Sequence, residues 1–203
     1  MIIKLYDTSL KENQHKRITE ILQSDGVCVF PSETLYCFVC SIKSHKAARR
    51  LADLKSKQLE KSNFSFMCSS LSMASNYIAP LSDVHFRMLK NLDMELFTFV
   101  FKSSGEFPKI FRNKKKTVGI RITRIPALVR IIEDLGHPLL VSSVPEDEED
   151  KNCSSDPELI HEKYEYTVDS VLDAGISKGV ASTVLDMTDG YTYDIIRKGA
   201  GVV

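Results

Sequence analysis

Between Pro31 and Tyr36 the chain carries two hydroxyls, a carboxylate and a phenol in six residues, directly after the apolar run Val27-Cys28-Val29-Phe30. Ser32, Thr34 and Tyr36 can donate and accept hydrogen bonds, and Glu33 adds a negative charge. Three further segments repeat the pattern of an apolar stretch followed at once by polar groups. Lys55, Lys57 and Lys61 follow the stripe Ala47, Ala48, Leu51 and Leu54. Arg121 stands within Val118, Ile120 and Ile122, and Ser142-Ser143 closes Leu139-Leu140-Val141. The chemistry these groups suit is the holding of an anion. Ammonium groups neutralise phosphates, each charge-assisted hydrogen bond contributing roughly 1.5–3 kcal/mol. A guanidinium forks onto a phosphate or a carboxylate, and hydroxyls fix orientation. Each segment alone also fits a plainer role: a polar turn, a solvated lysine cluster, a surface arginine, an ordinary strand end.

These groups act together only if the fold aims them at one place. Residues 11–24 read as a helix through Ile18, Ile21 and Leu22, stopped by Ser24-Asp25-Gly26. Val27–Phe30 reads as a buried strand running into Pro31. Ser44 can cap a second helix that ends near Leu54. Residues two apart do not share a helix face, but if the chain becomes extended there, Lys55 and Lys57 point the same way. Further strands are expected over residues 64–67, 96–101, 117–123, 139–142, 170–173, 182–186 and 193–197. Further helices are expected over 71–77, 83–91 and 125–135, the last ended by Gly136, and from Asp156 onward. Strands and helices interleave irregularly, which predicts an α/β protein with a twisted, mixed, open sheet and flanking helices, residues 1–203 forming one domain. In such sheets ligands sit beyond strand ends, where loops turn polar groups into one crevice.

The ordered series Phe30-Pro31-Ser32-Glu33-Thr34-Leu35-Tyr36, the Lys55-x-Lys57 cluster, Gly119-Ile120-Arg121, Leu140-Val141-Ser142-Ser143, Ser182-Thr183-Val184-Leu185-Asp186 and Ile195-Ile196-Arg197-Lys198-Gly199 resembles the YrdC/YciO family, the relatives of threonylcarbamoyl-AMP synthase. The resemblance runs from about Asp25 to Gly201. It is nearest to the YciO branch through residues 63–68, 86–91 and 116–121. It implies a sheet around a basic concave cavity. The family's synthases there combine ATP, threonine and bicarbonate, release pyrophosphate and form threonylcarbamoyl-AMP, the precursor of threonylcarbamoyladenosine in transfer RNA. Carried over by motif, Ser32, Thr34 and Tyr36 match the amino-acid-binding segment. Lys55, Lys57 and Lys61 match the phosphate-binding basic residues, and Arg121 matches the strand arginine. Ser143 matches the serine of Ser-x-Asn, and Ser182 and Arg197 match the nucleotide contacts. The resemblance thus assigns catalytic roles to Lys55, Lys57 and Ser143. It assigns phosphate or nucleotide binding to Lys61, Arg121, Ser182 and Arg197. Mg²⁺ would enter with ATP, and no protein-bound metal is expected. Lys57 stands where the synthases have arginine, Pro145 where they have the asparagine, and Cys37-Phe38-Val39 where they have small residues. These departures leave open a non-catalytic alternative, a protein that binds double-stranded RNA or transfer RNA.

Other signals narrow the classes. Of the 203 residues, 43% are hydrophobic and 27% charged, ordinary globular values, and the net charge is zero. That zero conceals an asymmetry: residues 1–143 carry 22 basic and 13 acidic groups, residues 144–203 carry 5 and 14. The N-terminal part could therefore present a basic field. Lys114-Lys115-Lys116, with Lys109 and Arg112, is a second basic run, fit for RNA phosphates or for a solvated loop. The acidic run at 146–150 follows Ser143. Cys37-x-x-Cys40 is formally half of a zinc or redox motif, but without a second matching pair it reads as buried small hydrophobes. The five histidines are scattered singly. No stretch approaches the roughly 20 apolar residues of a membrane span, and nothing suggests a signal peptide or a disulfide framework, so a cytoplasmic protein is expected.

Overall fold

The structure is a computed structural model that describes residues 1–55, 64–111, 116–145 and 154–203. Its strands are β1 (Ile2–Lys4), β2 (Val27–Phe30), β3 (Cys37–Ser41), β4 (Ser65–Cys68), β5 (Phe97–Lys102), β6 (Thr117–Ile122), β7 (Leu139–Ser143), β8 (Ser170–Asp173), β9 (Thr183–Asp186) and β10 (Asp194–Arg197). Its helices are α1 (Glu12–Gln23), α2 (His45–Leu54), α3 (Leu71–Ser75), α4 (Asp83–Lys90), α5 (Pro126–Leu135) and α6 (Pro157–Tyr164). The strands form one sheet in the order β1-β8-β2-β3-β7-β4-β6-β5-β9-β10. Pairs β1/β8, β2/β8, β4/β6 and β5/β9 are parallel and the other five antiparallel, the mixed sheet the interleaved sequence predicts.

Side chains alternate across each strand, and the core divides accordingly. Val27, Val29, Phe38, Cys40, Phe66, Ile120 and Leu140 lie on one face, covered by Ala47, Ala48 and Leu51 of α2 and Ile160 of α6. Cys28, Phe30, Cys37, Val39, Met67, Leu139 and Val141 lie on the other, covered by Ile18 and Leu22 of α1 and Leu128, Ile131 and Ile132 of α5. Strands buried on both faces read as continuous apolar runs. This is why Val27–Phe30 and Leu139–Val141 stand out in the sequence.

The helix ends are set locally. Ser44 accepts from Ala47 N at 2.9 Å and donates to Asp25 at 2.5 Å, fixing the start of α2 against the preceding turn. Pro126 opens α5, and Gly136 ends it at φ +68°, a left-handed position that suits glycine.

Two features make the sheet roll up. Strands twist by roughly 20–25° per step, so the four steps from β2 to β6 turn the strand direction by about 80–100°. The chain leaving β2 therefore crosses β6 rather than running beside it. The link between β8 and β9 then closes the roll. Those strands lie seven steps apart, roughly 34 Å in a flat sheet, and residues 174–182 would have to be fully extended to reach so far. They are not, since Gly175 and Gly179 stand at φ +81° and +69°. The two sides of the sheet are drawn together.

Candidate anion-binding site

Arg121 pairs in register with Met67 of β4 and so emerges on the face covered by α1 and α5. Only 4% of it is exposed. Its Nη2 donates to Thr34 Oγ1 at 2.7 Å and to Ser32 Oγ at 3.2 Å, and its Nη1 lies 3.6 Å from Cys37 Sγ. Two strands, β7 and β4, separate β3 from β6, so these contacts are made across the rolled face. Among the described residues no carboxylate pairs with Arg121, and its buried Nε has no hydrogen-bond partner. Burying an unneutralised charge is costly, and hydroxyls and a thiol only solvate it.

The segment that receives the guanidinium is held by its own hydroxyls. Ser32 Oγ donates to Leu35 O at 2.6 Å and accepts from Thr34 N at 3.3 Å, a side-chain turn that stands Thr34 beside it. Between them Glu33 points the other way. Its Oε1 accepts from Thr123 Oγ1 at 2.9 Å and Arg124 N at 2.7 Å, just past the end of β6. Its Oε2 is buried without a partner. One unsatisfied cationic donor and one unsatisfied anionic acceptor thus stand on the same two segments, 31–36 and 121–124.

Two further groups adjoin this centre. Lys55, at the C-terminus of α2, donates to Ser143 O at 2.8 Å, and Ser143 pairs with Cys37 across β7 and β3. On the other side, Ser182 is buried, its hydroxyl 2.8 Å from Thr98 Oγ1. Arg197 folds over it, donating from Nε and Nη2 to Ser182 O at 3.1 and 2.8 Å. β5 and β6 run antiparallel with Phe99 opposite Ile120, so the next position along sets Thr98 beside Arg121. A continuous series of contacts and register neighbours therefore joins Lys55, Ser143, Cys37, Arg121, Ser32, Thr34, Thr98, Ser182 and Arg197.

Tyr36 is placed differently. Its ring is buried with the α2 side of the core. Its hydroxyl donates to Gly175 O at 2.8 Å and accepts from Ala174 N at 3.0 Å. Burial pushes the phenol up to about 12, against a smaller opposing effect of the Ala174 N–H. It stays protonated at neutral pH and ties the end of β8 to the start of β3. Lys57, Lys61, Lys114, Lys115 and the acidic run at 146–150 lie outside the described residues. Cys37 and Cys40 fall on one strand three positions apart, which sends their thiols to opposite faces. Among the described residues no group of three or more His, Cys, Asp or Glu could hold a metal ion. Among the described residues no helix is long and apolar enough to cross a membrane.

A mixed, rolled sheet with helices on both faces defines an α/β protein, and where it rolls up hydroxyls surround a buried guanidinium that no carboxylate among the described residues neutralises. The chain belongs to the Sua5/YciO/YrdC family, whose model, described as "Telomere recombination", matches residues 20–199. It is 33% identical to the uncharacterized protein YciO of Escherichia coli strain K12 over 187 residues, 91% of this chain and 88% of that protein. The crystal structure of E. coli YciO superposes with a TM-score of 0.89 at 29% identity, covering 100% of this chain and 97% of the other. A threonylcarbamoyl-AMP synthase of Haemophilus ducreyi is 23% identical over 128 residues, 62% of this chain and 69% of the synthase. The structure of P. abyssi Sua5 complexed with L-threonine shares the fold, with a TM-score of 0.81 at 18% identity over 98% of this chain and 57% of that one.

Proposed function

We propose that this protein binds a nucleotide and an α-amino acid at the Arg121 site and carries out threonylcarbamoyl-AMP synthase-like chemistry. The observation that carries the reading is Arg121, buried, cationic and, among the described residues, bonded to hydroxyls but to no carboxylate. An anion on its free Nε would offset the cost of its burial. Arg121 suits a carboxylate or a phosphate, and the unpartnered Glu33 Oε2, turned away from it toward Thr123 and Arg124, suits an ammonium group. Ser32 and Thr34 lie within reach of a hydroxyl-bearing side chain such as that of threonine. Lys55, joined by Lys57 and Lys61, would draw the triphosphate of ATP and the Mg²⁺ it carries toward Ser143, with Ser182 and Arg197 on the nucleotide. In the reaction, threonine and bicarbonate combine to a carbamate with loss of water. A carbamate oxygen then displaces pyrophosphate from the α-phosphorus of ATP. The residues contribute positioning and charge stabilisation rather than covalent chemistry.

The test is pyrophosphate release from ATP, with and without threonine and bicarbonate, at high protein concentration. Threonine-dependent release is expected, and it should vanish in Arg121→Met. Release that ignores threonine would sink the synthase reading. Tight, salt-sensitive binding of duplex RNA without any such release would instead favour the non-catalytic alternative.

A further inference from the structure

We infer that residues 174–182 are a strap that closes on a phosphate-bearing ligand at this site, with Lys178 delivering a positive charge to it. This rests on the nucleotide reading above and adds to it a ligand-contact segment in which the motifs single out only the terminal Ser182. The strap's first anchor connects to Arg121 through two residues, Tyr36 and Cys37, and its second through one, Thr98. At its start Ala174 and Gly175 are pinned by the Tyr36 hydroxyl, and Tyr36 adjoins Cys37, which touches Arg121. At its end Ser182 is pinned by Thr98 and Arg197, and Ala181 O accepts from Ala200 N at 2.8 Å.

Between these anchors the strap is lightly held. Ser177 N donates to Ser155 O at 2.9 Å. Gly175 and Gly179, at φ +81° and +69°, bracket Ile176-Ser177-Lys178 in backbone conformations that glycine changes at little cost. Ile176 is 75% exposed and Val180 46% exposed, leaving two apolar side chains in water on either side of Lys178. Ser177 Oγ, in contrast, is buried and has no hydrogen-bond partner. Lys178 is the only charged residue in the strap. Exposed apolar groups, an inward hydroxyl without a partner and a lone cation between glycines are the parts of a segment that gains contacts when a polyanion arrives. Closure would bury Ile176 and Val180, give Ser177 an acceptor and bring the Lys178 ammonium to the phosphates.

The experiment is amide hydrogen exchange on the full chain with and without saturating ATP and Mg²⁺, alongside ATP affinity by calorimetry for the wild type, Lys178→Ala and Lys178→Arg. Exchange over 176–180 should slow several-fold on ATP addition. Lys178→Ala should weaken ATP binding about tenfold, the scale of one charge-assisted contact, and Lys178→Arg should restore most of the loss. ATP bound with unchanged exchange at 176–180, or with undiminished affinity in Lys178→Ala, overturns the strap and leaves the proposed function standing. No ATP binding by the wild type overturns both. Protection of 176–180 by duplex RNA but not by ATP also overturns the strap as a nucleotide clamp.

Discussion

Arg121 is held by groups that orient it but cannot neutralise it, and this separates its cost to folding from its use in binding. Methionine fills a similar volume without charge, and Ser32 and Thr34 keep their bond to each other at 3.1 Å when the guanidinium is gone. Arg121→Met should therefore be neutral or stabilising by about 1–3 kcal/mol in urea unfolding, while nucleotide or amino-acid affinity falls well over tenfold. A variant that fails to fold would make Arg121 a structural post instead. Glu33→Gln separates the ligands. The glutamine oxygen still accepts from Thr123 and Arg124, so the melting temperature should hardly move. The charge opposite the ammonium is lost, so threonine affinity should fall roughly tenfold or more while ATP affinity holds. Titration calorimetry with each ligand in turn reads the difference. Much of this site is legible in the sequence, because Ser32, Thr34 and Ser143 are polar groups placed where apolar runs end and Arg121 is a charge set inside one. Thr98 and Thr123 are not. A threonine in or after a strand is ordinary, and it is the pairing of β5 with β9 that brings Thr98 to Ser182, 84 residues away, and the roll of the sheet that brings Thr123 to Glu33, 90 residues away. Tyr36 is legible as a polar group but not in its partners, since its hydroxyl is spent on backbone 138 and 139 residues distant.

At the scale of elements, α2 decides where Lys55 sits, and Ser44 decides where α2 begins. The Ser44 hydroxyl satisfies one unpaired N–H of the first turn and also grips Asp25, which stands at φ +63°. Ser44→Ala removes both bonds and should cost about 1–2 kcal/mol. Ser44→Thr, which keeps an oxygen in place, should cost much less. Chemical denaturation of the two variants checks this, and equal losses would show that the cap is not the source. The same cap explains why α2 is readable in sequence, as do the terminal Gly136 for α5 and the twofold alternation of Val118, Ile120 and Ile122 for β6. The strands that escape sequence reading are β1 and β3. β1 is three residues long and exists only because β8, some 170 residues later, pairs with Ile2–Lys4. β3 follows the polar segment 31–36 and is buried on both faces, so Cys37–Ser41 shows no alternation. Its cysteines suggest a motif before they suggest a strand. Yet β3 is central: it pairs with both β2 and β7 and carries Cys37 to Arg121.

For the whole molecule, the sheet order redistributes what the sequence keeps apart. The acidic residues 144–203 supply β8 near one edge of the sheet and β9 and β10 at the other. Residues 1–143 supply β1 and all of the middle strands, so the two ends of the chain meet where β1 pairs with β8. The same central strands bury groups whose ionisation the fold forbids. Burial pushes the thiols of Cys28 and Cys40 far up and that of Cys68 to about 12, from an ordinary 9.0. The Tyr36 phenol rises to about 12 from 10.0. In all four the folded state holds its proton longer than the unfolded chain does. Their stabilising effect is fully present below pH 9, begins to fade as the unfolded thiols ionise, and keeps falling through the raised folded values. Each group contributes a slope of up to about 1.4 kcal/mol per pH unit, so the four together approach roughly 5 kcal/mol per unit above about pH 10. Against a typical total stability of about 5–15 kcal/mol, that slope should unfold the protein by about pH 11. Melting temperatures measured under reducing conditions should hold steady through pH 8 and drop steeply between about pH 9.5 and 11. The Tyr36 share of the tyrosinate absorbance, read as the difference between wild type and Tyr36→Phe, should appear only together with loss of the folded signal. A flat profile across that range would mean that water reaches these thiols in the native state and that the centre of the sheet is less closed than its packing implies.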